Sequence, residues 1–407
     1  MDDRNGAATP RAMRTCIGPL ASHLDRFLAR LVREGYAPSS LQAQYDMLAQ
    51  LSGWLEDLKI PLMKLDEERL EQFLVSHRRR GHATTGRQML VYLRDMGCLP
   101  VPAEQVDQTA LGCLLRDFER FLISERGLSR CSVTNYLPIA RRFLIDRFGS
   151  QALRLDALCQ QDVNRFVLHH AQKGTRSQAK GMVTALRSFL RFLHERGATS
   201  INLAAAVPGV ADWRLSHLPK SLPPELVAKM LSACDLNTAS GQRDYAILLL
   251  LARLGLRAGE VVALTLDDLD WEKGEIIIRG KGQRLARLPM PTEVGAALAR
   301  YLRHVRPTCA TRRVFIRMVA PCRGLAGPSA ICCIVYRVLK RAGLEPEFKG
   351  SHLLRHSFAC DLLRRGASLT EIGQLLRHSE LNTTQIYAKV DIAALRTIAL
   401  PWPGEAP

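Results

Sequence analysis

The stretch Glu275-Ile276-Ile277-Ile278-Arg279-Gly280-Lys281-Gly282 decides the class of fold. Three consecutive β-branched isoleucines between charged residues predict a strand. Gly280-Lys281-Gly282 predicts a turn, and Leu285 to Met290 can return as the partner strand. Lys281 then occupies the tip of a hairpin. Nearly all the rest of the chain carries the three- and four-residue apolar spacing of amphipathic helices. The expectation is a mainly α protein with one small β-hairpin or sheet, so that the C-terminal domain is α+β.

On either side of the hairpin the helical texture is plain. Leu226 to Cys234 and Tyr245 to Leu254 predict helices, and helices resume from Thr292 to about Leu400. Upstream, residues 209–224 hold Pro219, Pro223 and Pro224 with few apolar anchors, which reads as a linker. Before it lie two helical stretches. In the first, Leu24, Phe27, Leu28 and Leu31 mark a helix that Gly35 ends, and Ser39-Ser40 offers the next N-cap. Further helices carry Tyr45 to Leu55, then Leu70 to Leu74, then Met89 to Arg94. In the second stretch, Leu115 to Leu122, Tyr136 to Leu144, Leu158 to Phe166 and Leu186 to Leu193 repeat the layout. Five landmarks recur in order about ninety residues apart: Gly35 with Gly127, Tyr45 with Tyr136, Leu65 with Leu158, Phe73 with Phe166, and Gly81 with Gly174. This predicts a duplicated four-helix module. The expected organisation is a tail at 1–18, modules at 19–104 and 111–208, a linker at 209–221, a C-terminal domain at 222–400 and a tail at 401–407.

Composition narrows the partner. The 407 residues suggest two or three domains, and 47% hydrophobic with 24% charged residues is a globular balance. The net charge is +18, which favours a polyanion. Only 11 of the 57 basic residues are lysine, and a GC-rich genome raises arginine for no functional reason, so the argument rests on the net excess. No apolar run approaches the roughly 20 residues that span a bilayer, and Met1 to Pro10 lacks the apolar core of a signal peptide. A cytoplasmic, nucleoid-associated protein bound to nucleic acid is the expectation, with no membrane partner. Eleven cysteines show no zinc-ligand spacing, and their odd number argues against a disulfide framework. Most are expected to be buried small hydrophobes. No cofactor and no metal are implied.

Three segments carry chemistry. In Leu254-Gly255-Leu256-Arg257-Ala258-Gly259-Glu260, an apolar helix ends at Gly255 and presents Arg257 from a turn. A guanidinium is a planar fork that matches two phosphate oxygens, and Glu260 is near enough to orient it. In Ser351-His352-Leu353-Leu354-Arg355-His356-Ser357, His352 and Arg355 share one helix face, a titratable imidazole beside a fixed cation. In Leu375-Leu376-Arg377-His378 through Asn382-Thr383-Thr384-Gln385-Ile386-Tyr387, Asn382 to Gln385 reads as a capped helix start, with Tyr387 in its first turn and a half and His378 in the preceding loop.

Taken singly, each segment is more often a helix surface or a half-buried core tyrosine. Together, in this order and spacing, they resemble the signature boxes of the tyrosine recombinase (phage integrase) family. The resemblance covers about 222–392, and more weakly 111–208, which is similar to that family's helical core-binding domain. It implies N-terminal helical SAM-like modules and a C-terminal integrase-type catalytic domain. It also implies roles: Arg257 and Arg355 clamp the scissile phosphate, Lys281 protonates the leaving 5′-oxygen, His352 assists proton transfer, His378 hydrogen-bonds the phosphate, and Glu260 supports. Tyr387 attacks phosphorus to give a 3′-phosphotyrosyl link. The residue types suit the chemistry, because two arginines and one or two histidines neutralise developing phosphoryl charge without metal. A tyrosine hydroxyl, with a pKa of about 10, needs a base or cations to help it. The implied partner is double-stranded DNA, with a homo-tetramer or an assembly with related recombinases. Two positions depart from the pattern: Leu254 where threonine is frequent, and Arg377 where glycine is frequent. Neither is expected to touch a catalytic role.

Rival readings remain at this point. Leu369 to Tyr387 also resembles a helix-turn-helix, with Ser368 and Glu371 as a capping box, which suits a DNA-binding regulator. Type IB topoisomerases use similar chemistry, but the helical core-binding module and the Leu-Leu-Arg-His-Ser box favour a recombinase. A metal-dependent transposase would need an acidic triad, and none stands out. An extra N-terminal module departs from a compact two-domain plan, so a mobile-element integrase or transposase is favoured. Asp391 to Leu400 reads as a short apolar helix that docks either on its own domain or on a neighbour.

Overall fold

Ile276 and Ile278 alternate inward while Ile277 is half-exposed, which is the two-residue period of a half-buried strand. In the computed structural model this strand, β2 (Glu275–Arg279), is the centre of a three-stranded antiparallel sheet between β1 (Leu269–Asp270) and β3 (Leu285–Pro289). The register pairs Glu275 with Pro289 and Arg279 with Leu285. The structure describes residues 16–77, 79, 81–101, 107–210, 219–280, 285–378 and 383–390. Lys281, Asn382 and Asp391 to Leu400 lie outside them, as do most of the two tails and most of the linker.

The described chain is mainly helical. Its first module comprises α1 (Ala21–Arg33), α2 (Pro38–Asp57), α3 (Glu67–His77) and α4 (His82–Asp95). Leu24, Phe27, Leu48, Leu55, Phe73 and Leu93 meet in its core. Pro38 at the first helical position starts α2, with Ala37 as N-cap, so Ser39-Ser40 lies inside the helix rather than capping it. The next module comprises α5 (Ala110–Arg120), extended by a π-helical turn, α6 (Arg130–Phe148), α7 (Gln160–Ala171) and α8 (Arg176–Glu195). Phe118, Phe143, Phe166 and Phe189 fill its own core.

Both modules run helix, long helix, single 3-10 turn, helix, helix. Phe73 stacks on His77 at 4.4 Å in the first, and Phe166 lies against His170 at 4.5 Å in the second. Gly35 and Gly127 both take positive φ, +84 and +59. Residues 101–216 make one compact unit, and the first hundred residues group with residues 217–407 in another. Within that second grouping, Cys322 donates its backbone N–H to the carbonyl of Glu34 at 2.7 Å.

The C-terminal part is built on α10 (Ala239–Arg253), preceded by α9 (Pro224–Ser232). Ala246 to Leu251 are fully buried in one unbroken run, the mark of a helix covered on all sides. Around it pack α11 (Ala258–Ala263), α12 (Thr292–Arg300), α13 (Pro328–Arg341) and α14 (His352–Arg364), and α15 (Leu369–Leu375) packs on α14. Helices do not continue unbroken after Thr292 as expected. Residues 306–327 carry no helix, and Pro307, Pro321, Gly324 and Gly327 are the reason. Arg306 ties this segment down by donating to the carbonyls of Thr311, Arg313 and Val314. The cysteines are also not mostly buried: Cys234 and Cys360 are, while Cys113, Cys131, Cys159 and Cys333 are exposed.

Candidate active site

The site begins where α10 ends. Gly255 takes φ +57, a left-handed turn that a β-carbon would obstruct, since it would lie 2.7 Å from Phe358 and 2.8 Å from Leu376. That turn delivers Arg257 as the residue before α11. Glu260, three residues on, accepts from the Arg257 backbone N–H and from its Nη1, both at 2.8 Å. Arg257 also donates Nη2 to the carbonyl of Arg377 at 3.3 Å. The side chain keeps about a third of its surface exposed, so a fork already aimed by Glu260 still faces outward.

Arg355 comes from the first turn of α14 and is only 3% exposed. It donates Nη1 to the carbonyl of Gly255 and Nη2 to that of Leu376, stitching all three signature segments together. Burial, then the neighbouring Arg257 and Arg377, push its pKa down to about 10, which still leaves it charged at neutral pH. His352, at the start of α14, is exposed. Partial shielding of its ring from water, then Arg355 and Arg257, lower its pKa. A solvated helix face does not describe this segment, because Arg355 turns inward.

Arg377 corrects an expectation. It sits at φ +54, the conformation that makes glycine frequent at such a turn. Its side chain nevertheless enters the site, where Nη2 meets Glu260 Oε2 at 2.9 Å and Nη1 donates to the Leu375 carbonyl. Burial alone would raise the Glu260 pKa. Arg377 and then Arg257 more than offset that and hold the carboxyl below its ordinary value. One buried carboxylate thus serves two arginines.

His378 follows α15, whose start is closed by Ser368 and Glu371 as a reciprocal capping box. His378 Nδ1 lies 2.7 Å from the hydroxyl of Thr384, a buried residue. Burial, then Arg355 and Arg257, push the imidazole down to about 4. Tyr387 stands on a 3-10 helix, Gln385–Val390, and not on the α-helix expected from the spacing. It is 1% exposed, held among Ala359, Cys360, Ile372 and Leu376. Burial pushes its phenol up to about 12.

The Tyr387 hydroxyl lies 2.9 Å from Nδ1 of His356, with ring centroids 5.7 Å apart. The His-x-x-Arg spacing singles out His352 and Arg355 and not His356. The available signal was its place four residues after His352, on the same helix face. Nothing in the sequence distinguishes Thr384 from the adjacent Thr383. Of the candidate residues, Arg257, Glu260, Arg355, His378 and Tyr387 are thereby linked through one continuous set of contacts. Lys281 lies outside the described residues, and Arg279 at the base of its hairpin is tied to Asp268 at 2.7 Å. No cluster of three or more potential metal ligands occurs among the described residues, and no described helix is long and apolar enough to cross a membrane.

Comparison with known proteins places this geometry. Residues 220–393 match the model of the phage integrase family, and residues 115–197 match the phage integrase N-terminal SAM-like domain. The chain is 44% identical over 396 residues to a Sinorhizobium fredii protein designated integrase/recombinase y4rA, covering 96% of each. It is 33% identical over 291 residues to tyrosine recombinase XerD of Listeria monocytogenes, covering 70% of this chain and 96% of that one. Among solved structures, XerH site-specific recombinase bound to a palindromic difH substrate matches with a TM-score of 0.55 at 20% identity, over 77% of this chain and 94% of that one. The Tn1549 transposon integrase with circular intermediate DNA matches at 0.52 and 18% identity, over 70% of this chain and 99% of that one.

Proposed function

The chain belongs to the phage integrase family and is a tyrosine-type site-specific recombinase, and from that premise we propose how its own residues cut and rejoin DNA. Arg257 and Arg355 bind the two non-bridging oxygens of the scissile phosphate and neutralise the charge that builds there. Glu260 aims Arg257. Tyr387 attacks phosphorus, forms a 3′-phosphotyrosyl bond and displaces the 5′-oxygen, which Lys281 protonates. Storing the bond energy as a phosphodiester lets another strand's hydroxyl reverse the step. With its proton on Nε2, His378 accepts from the Thr384 hydroxyl at Nδ1 and can donate to the phosphate from Nε2. His352 assists proton transfer from the open face of α14.

The observation that carries this reading is the convergence of Arg257, Arg355, His378 and Tyr387 from three distant segments: Gly255, Leu376 and Glu260 tie the arginines, Thr384 bonds His378, and Tyr387 packs on Leu376. The partner is duplex DNA, bound in the cytoplasm by an assembly of protomers on paired sites. Basic residues at the interface make binding fall with salt, with log K declining by about 0.9 per phosphate neutralised. The domains are the two helical modules at 19–104 and 111–208 and the catalytic domain at 222–400, and the modules derive from one duplicated unit. The biological role is integration, excision or transposition of a mobile element. The N-terminal module contacts extra DNA or a partner recombinase, and an unchanged footprint after deletion of residues 1–104 would refute that part.

The decisive experiment is covalent capture. Wild type and Tyr387→Phe are expressed in cells, denatured and purified, and the attached DNA is sequenced. Retention of one enriched sequence by wild type alone is expected. Equal retention by both proteins would overturn the assignment of Tyr387.

A further inference from the structure

Strand cleavage needs a destination for the tyrosine proton, and the role given to His352 names no atom in contact with the tyrosine to receive it. We propose that His356 is a further catalytic residue, the proton acceptor of Tyr387; this rests on the reading of Tyr387 as nucleophile. His356 Nδ1 is the hydrogen-bond partner of the Tyr387 hydroxyl, at 2.9 Å, and among the described residues no other side chain bonds that oxygen. Tyr387 is 1% exposed, so its hydroxyl does not face bulk solvent. His352 is not placed for the task, since its ring lies 6.3 Å from that of His356 and has no contact with the tyrosine.

The electrostatic setting suits an acceptor. His356 is faced by His352 and Arg355 from its own helix, by Tyr387 from the 3-10 helix, and by His378 from the segment after α15. None of these is a carboxylate. Burial, then His352 and Arg355, keep the imidazole neutral down to about pH 4, so its Nδ1 lone pair is available at neutral pH. A neutral Nδ1 that accepts from the phenol puts the imidazole proton on Nε2.

The step balances. As Tyr387 Oη bonds to phosphorus its proton becomes acidic and passes to His356 Nδ1. The P–O5′ bond breaks, and the 5′-oxygen leaves with a proton from the general acid. In strand joining a 5′-hydroxyl attacks phosphorus and gives its proton back to the general acid, the Tyr387 oxygen leaves, and His356 returns the proton to it. The anionic phosphate, once bound, stabilises the imidazolium that forms between these events.

Two measurements test this. The first needs no DNA: 15N-histidine NMR of the full chain, compared with Tyr387→Phe. An unprotonated His356 Nδ1 whose resonance moves when the hydroxyl is removed is expected, and a protonated Nδ1 would overturn the proposal. The second uses the duplex recovered by wild-type capture. His356→Asn keeps an acceptor near the Nδ1 position but cannot take a proton. Its covalent-adduct rate should fall by about a hundredfold to ten-thousandfold, with DNA affinity unchanged. The wild-type rate should decline as pH falls through the His356 titration, and that decline should vanish in the variant. Rates within about threefold of wild type would show that His356 merely holds the tyrosine. Capture of DNA by Tyr387→Phe would instead sink the nucleophile assignment, a result distinct from a failure of His356 alone.

Discussion

Arg377 sets its guanidinium 2.9 Å from Glu260 while its own backbone is held at φ +54. A left-handed turn costs an L-residue about 1–2 kcal/mol relative to glycine, so the side chain must return something for its presence. What it returns is charge balance. Glu260 is buried and already bonded to Arg257, and the second cation keeps it ionised and in place. The arrangement accounts for arginine at a turn where glycine is the economical choice.

The first prediction separates the two effects. Arg377→Ala retains the left-handed strain and loses the ion pair, whereas Arg377→Gly loses both. Thermal unfolding should rank the glycine variant above the alanine variant by roughly 1 kcal/mol. An alanine variant as stable as the glycine variant would mean that the turn relaxes and stores no strain.

Glu260→Gln should be the more damaging change. It leaves Arg257, Arg355 and Arg377 close together around a neutral side chain. Removing one partner of a buried charge cluster costs on the order of 3 kcal/mol, here less for the partly exposed Arg257. Denaturant unfolding reads the loss. Covalent capture should fall further than stability explains, because Arg257 is no longer aimed; equal losses in both would make Glu260 purely structural.

Gly255 governs the junction between α10 and the phosphate clamp. A Gly255→Ala variant meets Phe358 and Leu376 at under 3 Å and must also hold φ +57. Strain and overpacking together should cost roughly 3 kcal/mol. The shift moves the carbonyl that Arg355 grips, so adduct formation should drop more than tenfold in the folded protein. Normal adduct formation at a lowered Tm would show that Arg355 has another anchor.

Stability should depend on pH in a defined window. His356 and His378 are both held neutral down to about 4, below the unfolded value of about 6.5. Between those values the unfolded chain binds more protons, so stability is full above about pH 6.5 and is lost as pH falls towards 4. Tm measured across that range should decline with acid. His356→Asn should flatten part of the slope, and an unchanged slope would remove His356 from the account.

The contact of the first module with the catalytic part offers a last check. Gly35 takes φ +84, and a β-carbon there would sit 2.6 Å from Cys322 Sγ. Gly35→Ala should loosen the bond from the Cys322 amide to Glu34 and raise hydrogen exchange at Cys322 severalfold. Unchanged exchange would mean that the contact adjusts at no cost.

Much was legible without coordinates, because it is written in local pattern. Apolar spacing marks the helices, and three adjacent isoleucines mark the strand whose inward and outward faces the sheet then displays. Arg257, Arg355, His378 and Tyr387 form a set in the sequence only through the resemblance of their three segments, in order and spacing, to the tyrosine recombinase boxes. Helix starts were read less well: Pro38 rather than a serine opens α2, and Tyr387 lies on a 3-10 helix, since short-range signals of capping compete at close quarters. What only the tertiary structure decided are contacts between residues far apart in sequence. Arg377 meets Glu260 across 117 residues, and Arg355 reaches Gly255 across 100. His356 faces Tyr387 only because α14 packs under the last described turn. Such pairings depend on how helices pack, and packing is set by shape and burial over the whole core, which no local window of sequence contains.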